Sequence, residues 1–264
     1  MRLFEIHDQP WFPQFLRDQF VDGLQMILDV TNIYQPITEL LGKRLEECGA
    51  ERVVDLCSGA GGPWPSLLRH FEMHGARPLE VFLTDKYPCT TKLQDQESPS
   101  AKLHFLEHSV DATEIPSYLQ GFRTLFSSFH HLNPDQARSL LQDCVNRRQA
   151  IGIFEASARH TLTLLSLLFI PVATWLFVPF RRRFRWSRLV WTYLIPVVPL
   201  VLFFDGLISC VRAYSLGELQ EMTRGLSTSG YDWEVGEQKG GMLPVRITYV
   251  VGSPQNPCTV RGLI

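Results

Sequence analysis

Asp55, Asp85, Asp111, the pair His130 and His131, and Glu155 recur along this 264-residue chain, each closing a short apolar run. Carboxylates accept from sugar hydroxyls and exocyclic amines, and an imidazole titrates near neutral pH. The set therefore has the chemistry of nucleotide binding with proton transfer beside it. The first acid lies in a glycine-rich stretch, Val53 to Gly62, VVDLCSGAGG. Gly59, Gly61 and Gly62 let the backbone turn tightly and meet a ligand with no Cβ in the way. A helix opening after such a turn aims its free N–H groups at that ligand. The stretch has neither the Gly-Lys-Ser/Thr ending of a P-loop nor a full GxGxxG, so it specifies a nucleotide-type site and no particular nucleotide.

These residues need a scaffold that lines them up, and the hydropathy pattern predicts one. Strands are expected at 52–56, at LEVFLTD ending in Asp85, at LHFLEH leading to Asp111, at RTLFSSF running into His130 and His131, and at AIGIFEA ending in Glu155. Helices are expected over 12–48 as a pair, over 65–74, and after Asn133 with Pro134 as its first residue. The first pair shows Phe20, Leu24, Ile27 and Leu28, then Ile37, Leu40, Leu41 and Leu45, at helical spacing. Asn32, Tyr34 and Pro36 break the two helices apart. Five regular β-α units imply a mostly parallel sheet with helices on both faces. Ser215 with Glu218 forms a capping box for a later helix, and YDWEVGEQ with VRITYVVG reads as an antiparallel pair at the sheet edge. In such a sheet ligands lie outside the carboxyl ends of the strands, where these acids and histidines fall. Asp85 is then placed for the two hydroxyls of a ribose and Asp111 for the amine of an adenine.

Composition bounds the rest. A net charge of −2 argues against a dedicated nucleic-acid binder. The six cysteines form no CxxC pair and no zinc spacing with histidine, so reduced thiols and no metal are expected. The N-terminal MRLFEIHDQPWF lacks the apolar core of a signal peptide.

The residues resemble the class I S-adenosylmethionine-dependent methyltransferases over about 30–160 and 206–252. The resemblance implies a Rossmann-like, seven-stranded, mostly parallel α/β sheet with an antiparallel last strand. It implies S-adenosyl-L-methionine as cofactor, with Asp55, Ser58, Gly59 and Gly61 at its methionine part, Asp85 at its ribose, and Asp111 with Val110 and Ala112 at its adenine. Cys57, Lys86 and Ser127 complete the expected cofactor set. Cys57 stands where the family usually begins its loop with glycine, so the first turn must accommodate a Cβ. Methyl transfer is an in-line displacement from a sulfonium, in which the protein aligns the acceptor and excludes water. His130 or His131 is expected as general base if the acceptor must lose a proton; the alternative is one packed histidine and one helix cap. Tyr34 is a candidate at the substrate, against a plain packing role, and Glu155 is a substrate candidate or a strand-end ion-pair partner. Trp11-Phe12-Pro13 and Thr-Asp-Lys-Tyr-Pro at 84–88 resemble a bacterial subgroup of the family with an apolar insert.

That insert is the other strong signal. Thr161 to Phe180 and Leu189 to Phe204 carry no charge, and between them lies RRRFRWSR with Arg181, Arg182, Arg183, Arg185 and Arg188. A transmembrane hairpin would leave five arginines on the far side, against the positive-inside rule. Helices broken at Pro171, Pro179, Pro196 and Pro199 and lying in one leaflet are expected instead, with arginines on anionic headgroups and Trp175, Trp186, Trp191 and Tyr193 at the boundary. Core helices or an oligomer interface are the alternative. The expected organisation is a helical cap over 1–50, a Rossmann-like core over 51–160, an apolar insert over 161–205, the end of the core over 206–252 and a tail over 253–264. The expected function is methylation of a small lipophilic acceptor at the cytoplasmic face of a membrane, or in the cytoplasm. Two other readings are a non-catalytic cofactor- or partner-binding module anchored to membrane, and a nicotinamide-dependent reductase. The acid after the third strand and the terminal antiparallel pair argue against the reductase.

Overall fold

The computed structural model describes residues 3–89, 102–156, 159, 161–177, 186–226, 230–241 and 245–255. Seven strands form one sheet: β1 Arg52–Leu56, β2 Glu80–Thr84, β3 Lys102–Phe105, β4 Phe122–Phe126, β5 Ile151–Glu155, β6 Tyr231–Lys239 and β7 Arg246–Pro254. Their order is β3-β2-β1-β4-β5-β7-β6. The first five are parallel, and β7 runs antiparallel between β5 and β6. The central strand alternates faces as a twofold period demands: Val53 joins one core and Val54 the other.

On one face lie α2 (Thr38–Glu47) and α3 (Trp64–Met73), through Leu41, Leu45, Leu67, Leu68 and Phe71. On the other lie α4 (Pro134–Arg147) and α9 (Leu216–Arg224), through Ala137, Leu140, Leu141, Cys144, Leu219 and Met222. Capping fixes where both of the latter start. Asn133 accepts from the Gln136 N–H while the Gln136 side chain accepts from Asn133, and Ser215 and Glu218 do the same.

A third core is separate from the sheet. Helix α1 (Gln14–Thr31) packs Leu16 and Phe20, with Phe12 before it, against Val198, Val201 and Leu202 of α8 (Val197–Arg212). Gly23 makes this close approach possible, because a Cβ there would sit 3.0 Å from Leu202 Cδ1. The remaining insert helices, α5 (Thr161–Leu167), α6 (Ile170–Phe177) and α7 (Trp186–Leu189, continued as a π turn over Val190–Leu194), gather on α8.

Several expectations need correction. The β3–β4 connection contains no helix, so the expected regular β-α alternation fails at that point; turns through Val110, Ala112, Ile115 and Leu119 cover the sheet there instead. Leu24 is 39% exposed, because α1 turns Leu16, Phe20 and Gly23 toward α8 rather than the face containing Leu24. The insert does not end at 205: α8 carries it on to Arg212, and β7 reaches past 252 to Pro254. The chain breaks at Pro196, and Pro171 sits at the start of α6, but Pro199 lies in the first turn of α8, where proline is tolerated. Pro179 and four of the arginines, 181–183 and 185, lie outside the described residues. No single described helix is long and apolar enough to cross a membrane; the pair Trp186–Leu194 and Val197–Arg212 has the length and composition together but is bent by 68°.

Candidate active site

The parallel register brings Asp55, Leu83 and Thr124 level across the three central strands, so the loops that follow open side by side. The loop after β1 is tied to the end of β2. Ser58 N–H donates to Thr84 O (2.9 Å), Ser58 Oγ donates to Asp55 O (2.8 Å), and Thr84 N–H donates back to Ser58 Oγ (3.1 Å). Gly59 N–H then donates to Asp85 Oδ2 (2.8 Å), and Tyr87 N–H to Asp85 Oδ1 (2.8 Å). Gly59 has φ +55° and Gly61 φ +116°, both left-handed. Cys57, the residue at the expected glycine position, also takes φ +57°, so the turn is made with a Cβ present at some conformational cost. Helix α1 lies against this loop: Gln25 Nε2 donates to Gly62 O (2.8 Å), and a Cβ on Gly59 would meet Val21 at 3.1 Å.

One member of the expected cofactor set turns inward. Asp55 is 1% exposed and its Oδ1 accepts from Thr124 Oγ1 at 2.6 Å. Burial pushes its carboxyl up to about 7, even with the Thr124 and Ser58 hydroxyls working the other way. Ser58 is buried and its hydroxyl is spent within the loop. The Asp55 side chain braces the turn from inside the sheet, while Ser58, its hydroxyl held within the loop, lines the pocket that opens beside Asp85. Asp85 does stand at the surface of a pocket lined also by Ser58, Gly59, Leu83, Phe105, Leu106 and Glu107. Burial raises its pKa against the two backbone N–H groups it accepts from. Val110 N–H reaches Asp85 O (2.9 Å), which couples the β2 and β3 loops. Val110 and Ala112 are buried. Asp111 accepts from Thr113 N–H (2.9 Å) and from Lys86 Nζ (2.8 Å); burial notwithstanding, these contacts lower its pKa. Lys86 is exposed and its described bond is to Asp111.

The β4 and β5 ends carry the second half. Ser127 takes φ +44°, bonds to Tyr34 OH (2.6 Å) and accepts from Ala156 N–H (3.1 Å). Tyr34 is 3% exposed with its ring on Phe126, and burial raises its pKa; it is held as a packing tyrosine. Glu155 is buried and accepts from Phe129 N–H (2.7 Å) while holding His130 Nδ1 (2.6 Å). This is a buried ion pair, not a surface one. Burial would push the His130 pKa down, but Glu155 and Glu5 override it and push it up to about 10. His130 therefore keeps its proton and offers no lone pair, which argues against the general-base role expected of it. His131 is half-buried, with Nδ1 on Asp8 Oδ2.

Sequence reasoning missed the partners of these histidines. Glu5, His7 and Asp8 of the N-terminal segment, Asp205 and Arg212 of α8, and Arg17 of α1 all converge here. Asp205 accepts from Ile6 N–H (2.8 Å), His7 N–H (3.0 Å) and His7 Nδ1 (2.8 Å). Arg212 donates to His131 O (2.7 Å), and Arg17 donates to His7 O (2.9 Å) and Gln9 O (2.8 Å) with its guanidinium 4.0 Å from the Tyr87 ring. Burial raises the Glu5 pKa, but His131, His130 and His7 outweigh it and bring it down to about 2. One signal was available: Asp205 is the lone charge between Arg188 and Arg212, and an acid inside an apolar helix has to be paired.

Known solved structures are similar to this chain. A structure from Nostoc punctiforme described as an O-methyltransferase superposes with a TM-score of 0.51 at 12% identity, over 94% of this chain and 63% of that one. The two chains share a Rossmann-like α/β fold. Human N-acetylserotonin methyltransferase in complex with S-adenosylmethionine is similar over 94% of this chain and 61% of its own length, with a TM-score of 0.48 at 12% identity. This chain thus spans less than two thirds of either protein. No protein-family model matches the chain, and no curated relative is found by sequence.

Proposed function

We propose that the chain is an S-adenosylmethionine-dependent methyltransferase that acts on a small lipophilic acceptor at a membrane surface. The observation that carries this reading is the alignment of the left-handed Gly59 turn, Asp85 and Asp111 along adjacent carboxyl ends of a 3-2-1-4-5-7-6 sheet. The pocket beside Asp85 suits an adenosine. Its carboxylate retains lone pairs for ribose hydroxyls, Leu83, Phe105 and Leu106 offer apolar walls, and Gly59 offers bare backbone. When bound, the sulfonium supplies an activated methyl group; the chain holds the donor, aligns the acceptor and keeps water out. Helices α1 and α8 meet over the loop after β1 and the segment after β4, where an acceptor would enter.

The insert supports the lipophilic part of the reading. Phe169 is 69% exposed and Leu194 77%, and Leu165, Leu168, Leu176, Leu200 and Trp186 are exposed as well. An apolar patch of this size on helices bent at Pro196 suits burial in one leaflet rather than a span. The cytoplasmic face of the membrane is the matching location. The engagement of His130 by Glu155 favours a second reading, a cofactor-binding module without turnover.

Labelled S-adenosylmethionine offered with hydroxylated quinone-type and isoprenoid lipids in mixed vesicles separates these. Label in the organic phase, lost in Asp85→Asn, supports transfer; no label from any acceptor while the cofactor binds supports the module. Flotation with the same vesicles tests the surface: the chain should float, and Leu168→Glu with Phe169→Glu should leave it in the soluble fraction.

A further inference from the structure

We propose that Glu5, His7 and His131 form a site for a divalent transition-metal ion of the zinc type. Each offers a ligand atom, and the three atoms lie within 4.8 Å of one another. His131 Nε2 is 3.4 Å from Glu5 Oε2, and the His7 ring lies beside that same oxygen; its Nδ1 donates to Asp205 Oδ2, which leaves Nε2 as its ligand atom. The His131–Glu5 distance is wider than a good N–H···O bond, and it is close to the edge of about 3.3 Å expected for ligands 2.0–2.1 Å from a tetrahedral ion.

The surroundings are built in the way such sites are. His131 has its other ring nitrogen, Nδ1, held by Asp8, which fixes the tautomer that leaves Nε2 free for an ion. Glu5 is 1% exposed, and its second oxygen, Oε1, faces His130 Nε2 at 3.4 Å and Arg212 at 3.5 Å, so Oε2 is turned to the histidines. Two imidazoles and a carboxylate select a borderline ion over magnesium or calcium, and three protein ligands leave the fourth position for a water or substrate oxygen. Spacing along the chain gives no warning of this, because Glu5 and His7 are far from His131 in sequence. Metal binding stands or falls independently of methyl transfer; that the open position receives an oxygen of the acceptor rests on the proposed function.

The test uses the full chain, stripped with chelator and titrated with zinc by calorimetry, with metal content read after gel filtration. One equivalent should bind. Asp8→Asn should weaken it 10–100-fold by releasing the ring it orients, and His131→Ala and Glu5→Gln should weaken it at least as much. His74→Ala, remote from the cluster, should change nothing. X-ray absorption on the zinc-loaded wild type needs no variant and should show histidine nitrogens at about 2.0–2.1 Å. No bound zinc, a shell containing sulfur, or binding indifferent to these changes would overturn the site and leave a metal-free cluster of protonated histidines. S-adenosylhomocysteine binding on the same sample separates failure of this site from failure of the methyltransferase reading.

Discussion

Asp55 sits at the centre of the sheet with 1% exposure, so replacing it by asparagine isolates the cost of its charge. Its carboxyl is pushed from 3.8 to about 7, mainly by burial. For an acid raised in this direction the folded state holds a proton that the unfolded chain releases. The stability this group contributes is therefore present below about pH 4 and is lost as pH rises toward 7. The size of the loss follows from the shift, at 1.36 kcal/mol per pKa unit, and comes to about 4 kcal/mol when complete. Asparagine has the same shape, keeps an oxygen for Thr124 Oγ1 and never ionises. Urea unfolding of both proteins at pH 4.5, 6, 7 and 8 should show Asp55→Asn gaining on the wild type steadily, by about 3 kcal/mol across the range. A wild-type-minus-variant difference that does not move with pH would refute the reasoning, because then the charge is not desolvated in the fold.

Two further outcomes follow from the same geometry. His130→Ala strips the partner from buried Glu155 and should destabilise by about 3–5 kcal/mol, read as a lowered melting temperature; a loss below about 1 kcal/mol would mean the pair is not desolvated. Gly59→Ala puts a Cβ on a φ of +55° and against Val21, so it should cost about 1–2 kcal/mol and weaken adenosine binding, measured by urea unfolding and calorimetry. Unchanged binding would show that the loop does not touch the ligand.

The strands were legible because their signals are local. Val53 to Leu56, Leu79 to Asp85 and Ile151 to Glu155 are apolar runs that only a central sheet can bury, and Asn133-Pro134 and Ser215 mark helix starts by capping chemistry. The positions of Asp85, Asp111 and Glu155 then follow from topology. Orientation does not follow from topology. Asp55 is of the right residue type, yet its side chain points into the sheet because Thr124 waits there with a hydrogen bond. The histidine cluster was invisible for a different reason: Glu5, Asp8, Asp205 and Arg212 reach it through the packing of α1 on α8, a long-range contact that no periodicity encodes. The boundary of the insert failed at Asp205 because a single acid in an apolar run reads as the end of that run, whereas here it is the residue that ties the run to His7.

Calorimetric titration of the detergent-solubilised chain with S-adenosylhomocysteine, wild type beside Asp85→Asn, bears most directly on the central claim. Asparagine retains an acceptor for the loop N–H groups and removes the charge and one acceptor oxygen offered to the ribose. Binding in the wild type that weakens at least tenfold in the variant is the predicted result. No binding to folded wild-type protein, or equal binding by both, would contradict the placement of an adenosine at Asp85 and with it the methyltransferase reading.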